Sequence, residues 1–154
     1  MPEYTVQSNI VKQLTTFLNQ RHETILEYNR LLDLMEKDLT QGDVERLVSH
    51  STTEREVLNR LKALQRAISS LREDHPAETQ DNDTRGNASS DNTILEYQFQ
   101  QLHETAVQKI FRNRSRLDAA LRTTGDEISR VRRARAKTGR TSSTAKPFYV
   151  DLER

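Results

Sequence analysis

Val11, Leu18, Ile25, Leu32 and Leu39 stand seven residues apart, and Leu14, Tyr28 and Met35 fill a second row beside them. A seven-residue apolar repeat sustained this long is the pattern of a helix that buries a narrow stripe against other helices. Arg21 takes a place in the second row where an apolar residue is expected. Its long side chain is expected to carry the charge out over the neighbouring turn. The repeat predicts a helix over residues 5–40.

Beyond Leu39 the phase slips. Seven further residues land on Arg46, whereas the leucines resume at Leu47. A second stripe then runs through Val44, Leu47, Val48, Leu58, Leu61, Leu64, Ile68 and Leu71, weakened in the middle by Ser51, Thr52 and Glu54. Gly42 is suited to the left-handed residue that closes a helix. Asp43 is suited to the N-cap of the next one, with Glu45 in a first turn that favours negative charge. One continuous helix with a stutter is the alternative. A stripe this thin, however, needs a partner to bury it, and folding back supplies one. The expectation is two antiparallel helices, at 5–40 and 43–73.

Residues 74–91, DHPAETQDNDTRGNASSD, carry no apolar repeat and read as a flexible acidic linker. A third stripe follows through Ile94, Leu95, Phe99, Leu102, Ala106, Ile110, Leu117, Leu121, Ile128 and Val131, with Asn113 on the same face. It predicts a helix from about 92 to 137, with Gly125 marking a bend or frayed end. The fold class expected is therefore all-α: an antiparallel long-helix hairpin plus a third long helix, an elongated three-helix bundle or coiled coil spanning 1–137. Residues 138–154 are expected to be a flexible tail carrying the apolar cluster Phe148, Tyr149 and Val150. TILEY occurs at both 24–28 and 93–97; a shared helical alphabet accounts for it without a duplication.

Several functions lack the residues they need. Without cysteine there is no disulfide framework, thiolate nucleophile or cysteine zinc site. No GxxxxGK[ST] or GxGxxG phosphate loop occurs. His22, His50, His75 and His103 are too far apart for two to serve one metal from one helix face. The expectation is a protein with no catalytic centre, cofactor or metal. No apolar run reaches the length of a membrane span, and MPEYTVQSNI lacks the basic-then-apolar pattern of an export signal. A cytoplasmic location is the corresponding expectation.

What remains is protein binding. The face of Leu102, Ala106, Ile110, Asn113, Leu117, Leu121, Ile128 and Val131 is either the third wall of a closed bundle or a seat for a partner's amphipathic helix. Phe148, Tyr149 and Val150 are candidates to cover that face or to dock elsewhere. Charge is uneven: residues 109–140 hold eleven Lys/Arg against three Asp/Glu, while 76–108 hold one against six. Arg130, Arg132, Arg133, Arg135, Lys137 and Arg140 crowd into eleven residues. They lack the interleaved aromatics of a single-strand binder and the setting of a recognition helix. Steering an acidic protein partner is the expected role. The rival readings are a coiled-coil adaptor that pairs with its own copies and a basic helical nucleic-acid binder.

The stretch RLLDLMEKDLTQGDVERLVSHSTTEREVLNRLKAL, residues 30–64, resembles the flagellar type III export chaperone family called FlgN. Leu31, Leu32 and Met35 match its first leucine run. Asp43 matches its turn aspartate and Leu47 the leucine after it. Glu54 and Glu56 fall in its charged stretch, and Leu58, Leu61 and Leu64 match its second run. Asn113 followed by Leu117 and Leu121 is similar to its last helix. The outline of the likeness covers about 120 residues. It implies a cytoplasmic chaperone, a monomer or small dimer without cofactor or nucleotide. Such a chaperone binds terminal segments of hook-filament junction proteins, prevents premature assembly, and delivers them to the export apparatus.

Overall fold

The computed structural model describes the backbone of residues 3–80 and 87–141, and side-chain surroundings for 9–77, 79 and 91–137. Among these residues the chain is all-α. Helix α1 spans Glu3–Gln41 and α2 spans Val44–Asp74, followed by a short α3 at Pro76–Gln80 and the long α4 at Asn87–Thr141. Residues up to Arg114 form one compact unit and those from Ser115 onward another.

The hairpin turn forms as its residues dictate. Gly42 adopts φ +70°, and the Asp43 N–H donates to the Asp38 carbonyl at 3.0 Å, the long bond of a Schellman ending. Asp43 then caps α2, its carboxylate accepting from the Arg46 N–H at 3.1 Å. Behind the turn the buried Asp38 carboxylate meets His50 Nδ1 at 2.5 Å, tying the last turn of α1 to the second turn of α2.

Three long helices share the core of the first unit. Cross-helix contacts give their directions. Going up α1, Arg21, Tyr28 and Asp38 meet Gln65, Glu54 and His50 of α2 in descending order, so the two helices are antiparallel. Thr15, Arg21, Asn29 and Leu32 meet Asn92, Glu96, Leu102 and Asn113 in ascending order, so α4 runs parallel to α1. The fold is a three-helix bundle.

The core falls into two clusters. One joins Leu14, Leu18 and Ile68, with Phe17, Leu71 and Leu95 against it. The other joins Ile25, Tyr28, Leu31, Leu32, Val57 and Ala106, with Leu58, Leu61, Phe99 and Leu102 against it. Arg21 stands in sequence between Leu18 and Ile25, where a leucine would continue the apolar row.

Several boundaries and positions differ from expectation. Arg21 does not lead its charge into solvent; it is 4% exposed, and its two terminal nitrogens donate to Gln65 and Glu96 inside the bundle while Nε is buried without a partner. The stripe of α2 includes Val57, which is wholly buried, while Val44 and Val48 are 67% and 62% exposed. The working row is Leu47, His50, Glu54, Val57, Leu61, Leu64, Ile68 and Leu71, spaced three and four apart. It is hard to see in the sequence because His50 and Glu54 stand in apolar places, paired there with Asp38 and Tyr28. Helix α4 starts at Asn87, earlier than expected, continues through Gly125 without ending, and reaches Thr141. Pro76–Gln80 is helical within the stretch read as linker; residues 81–86 lie outside the described residues.

Candidate partner-binding face

The face of α4 read from the sequence divides between two environments. Leu102, Ala106 and Asn113 belong to the bundle. Ala106 is 2% exposed, which lets α4 approach the hairpin closely, and Leu102 packs on the same cluster. Asn113 is buried and donates through Nδ2 to the Leu32 carbonyl at 2.9 Å. Its polar partner is thus a backbone group of α1.

Asn113 is one rung of a polar ladder joining α1 and α4. The Thr15 hydroxyl lies 2.9 Å from the Asn92 amide oxygen. Asn29 Nδ2 donates to the Leu102 carbonyl at 3.0 Å. Lys109 Nζ sits 2.7 Å from the Asp33 carboxylate. At the centre the Arg21 guanidinium donates to Gln65 at 2.9 Å and to Glu96 at 2.6 Å, and lies 4.0 Å over the Phe99 ring. Glu96 is shared with Arg72 of α2 at 2.5 Å. Burial works to raise the Glu96 carboxyl, but the hydrogen bonds and charges of Arg21 and Arg72 outweigh it and hold the group below the usual carboxylate range. Burial, with the Glu54 charge and hydrogen bond added, pushes the Tyr28 hydroxyl up, so it remains a neutral donor. These groups pair α1 with α2 and α4, while Arg21 Nε, Asn29 Oδ1, Asn92 Nδ2 and Asn113 Oδ1 stay buried without a hydrogen-bond partner. Nothing in their geometry presents a nucleophile and base to a substrate.

Between α2 and α4 the first unit leaves a groove of about 420 Å³. Leu58 and Leu61 line it from α2, and Phe99, Ala106, Val107 and Ile110 from α4, over Ile25 and Tyr28 of α1. Lys62, Gln65, Gln100 and His103 supply its polar lining, with His103 stacked on Phe99 at 6.0 Å. Two of the residues expected at a partner face, Ala106 and Ile110, therefore line an apolar channel. Val107 and Phe111 were not singled out in the sequence, yet they are 38% and 71% exposed. Their spacing beside Ile110, three and four residues apart, was the available signal.

In the second unit every described residue from Ser115 to Lys137 is exposed. Leu117, Leu121, Ile128 and Val131 recur at helical spacing there and are 39%, 62%, 49% and 51% exposed. Thr124, Glu127, Ile128, Val131, Arg132 and Arg135 border a hollow of about 350 Å³. Residues 115–137 carry seven Lys/Arg against three Asp/Glu; by helical spacing Arg132 and Arg135 stand beside the stripe with Glu127, while Arg122, Arg130, Arg133 and Lys137 fall on the opposite face. Arg130, Arg132, Arg133, Arg135 and Lys137 all lie on this exposed helix; the side chain of Arg140 and all of Phe148, Tyr149 and Val150 lie outside the described residues.

Among the described residues no group of three His, Asp or Glu side chains is placed to hold a metal ion, and no helix is long and apolar enough to cross a membrane. No protein-family model, curated protein or solved structure matches the chain. Among the described residues, fold and surface define an all-α three-helix bundle whose helix α4 carries an exposed apolar stripe in a segment of net positive charge.

Proposed function

We propose that this protein is a non-enzymatic chaperone of the flagellar export type. In this reading it holds an amphipathic terminal segment of a hook-filament junction protein on the α4 stripe. It thereby prevents premature assembly, and it passes the segment to the export apparatus. The observation that carries the reading is the exposure of Leu117, Leu121, Ile128 and Val131 in a row on a helix segment of net positive charge, with Arg132 and Arg135 beside Ile128 and Val131. Apolar side chains at this spacing fit the complementary row of another helix, and the segment's net positive charge favours an acidic one. The same charge opposes pairing of two copies along this stripe, which would bring two segments of net positive charge together. The reading also draws on the likeness in residues 30–64, in which Asp43 and Leu47 match the family's turn aspartate and the leucine after it.

The test is calorimetric titration of the full chain with terminal segments of hook-filament junction proteins from the same cell. Leu121→Asp removes an apolar contact of about 2 kcal/mol and forces a carboxylate against the partner, so affinity should fall about 100-fold. Leu121 is 62% exposed, so helicity by circular dichroism should be unchanged. Full affinity in the variant, or no binding by the unaltered chain, would remove the reading.

A further inference from the structure

We infer that residues Phe148–Asp151 of the same chain occupy the distal half of the α4 stripe when no partner is bound. This rests on the reading of the stripe as a partner face and supplies its regulation. The hollow beside Ile128 and Val131 has about 350 Å³ of space and is bordered by Arg132 and Arg135 against a single acidic residue, Glu127. Both apolar residues are about half exposed. Helix α4 is described as far as Thr141, and Phe148 follows seven residues later.

Seven extended residues reach about 24 Å. Folded back along a helix rising ~1.5 Å per residue, that span covers about 16 residues. Val131 and Ile128 lie ten and thirteen residues before Thr141, within reach of Phe148. Leu117 lies twenty-four residues before it and is beyond reach. The chemistry matches at the reachable end. Phe148 and Val150 supply apolar side chains to Ile128 and Val131, and Asp151 follows at once to meet Arg132. A tethered segment acts at an effective concentration in the millimolar range, so a small contact suffices for partial occupancy.

The chain has no cysteine, so Leu152→Cys gives a single site for a nitroxide spin label. In the full chain, methyl resonances of Ile128 and Val131 should broaden while those of Leu117 do not. Adding Phe148→Ser and Val150→Ser should abolish the broadening. A synthetic Leu/Glu amphipathic helical peptide serves as the partner probe. If the covered state is about nine-tenths populated, the peptide should bind the unlabelled double-serine chain about tenfold more tightly than the unaltered chain. Absence of broadening would overturn the inference. So would broadening seen only when label and isotope sit on different chains, which assigns the segment to a second copy. The two readings fail separately. Intrachain broadening with a peptide that binds neither form leaves the cover and removes the partner face. Equal peptide binding by both forms, without broadening, removes the cover and leaves the partner face.

Discussion

Replacing Arg21 with alanine tests how the bundle tolerates a charge in its core. The side chain is 5% exposed, and its partner Glu96 is 34% exposed. Breaking a fully buried ion pair costs about 3–5 kcal/mol. Here Glu96 retains Arg72 at 2.5 Å and part of its solvation, so its share of that penalty falls to about 1 kcal/mol. Gln65 loses its donor, for about 1 kcal/mol, and Phe99 loses a cation over its ring, for about 1 kcal/mol. The lost packing of the aliphatic stem adds to these, while relief of the guanidinium's desolvation subtracts. The net expectation is a loss of about 3 kcal/mol, read by urea denaturation followed by circular dichroism. Arg21→Met keeps most of the volume and should cost about 1 kcal/mol, because a well-packed apolar replacement forgoes the cost of burying a charge. A double-mutant cycle with Glu96→Ala should return a coupling of about 1–2 kcal/mol. An alanine cost under about 0.5 kcal/mol, as for a surface residue, would refute the buried network. A coupling of zero would refute the pairing itself.

Gly42→Ala meets open space, with nothing within 4 Å of the added carbon, so its cost comes from φ +70° alone. It should destabilise the hairpin by about 1 kcal/mol after the unfolded-state gain is subtracted, with Gly42→Asn closer to neutral; equal stability of all three would show that the turn does not need a left-handed residue. Glu96 is held below its ordinary range, so its contribution to stability is complete above that range and lost as pH falls through the lowered folded value. Unfolding free energy should therefore decline below about pH 4 more steeply in the unaltered chain than in Glu96→Gln, and parallel profiles would contradict the shift.

Much of the fold was legible because helix formation and turn chemistry are local. The seven-residue row from Val11 to Leu39 needed only its own spacing to announce α1. Gly42 and Asp43 announced the turn through backbone conformation and capping, which depend on a handful of neighbouring atoms. What escaped was the middle of the α2 row, His50, Glu54 and Val57. His50 and Glu54 read as breaks in an apolar pattern until Asp38 and Tyr28, far away in sequence, were brought opposite them. Val57 went unnoticed for the same reason.

The stripe of α4 marks the same boundary. From the sequence, Leu102, Ala106, Ile110, Asn113, Leu117, Leu121, Ile128 and Val131 form one face, because periodicity alone assigns every member the same direction. Periodicity cannot say which of them find a neighbour. Tertiary packing placed Ala106 and Asn113 against α1, where a small side chain and a backbone carbonyl meet them, and left Leu121, Ile128 and Val131 exposed. It also turned Arg21 inward, where pattern and side-chain length alone pointed outward. A buried guanidinium is stable only where Gln65, Glu96 and Phe99 converge on it, and that convergence draws on three helices at once. The sequence by itself determined which segments coil and where they reverse; the assembled bundle decided which polar groups could be buried and which apolar ones were left uncovered.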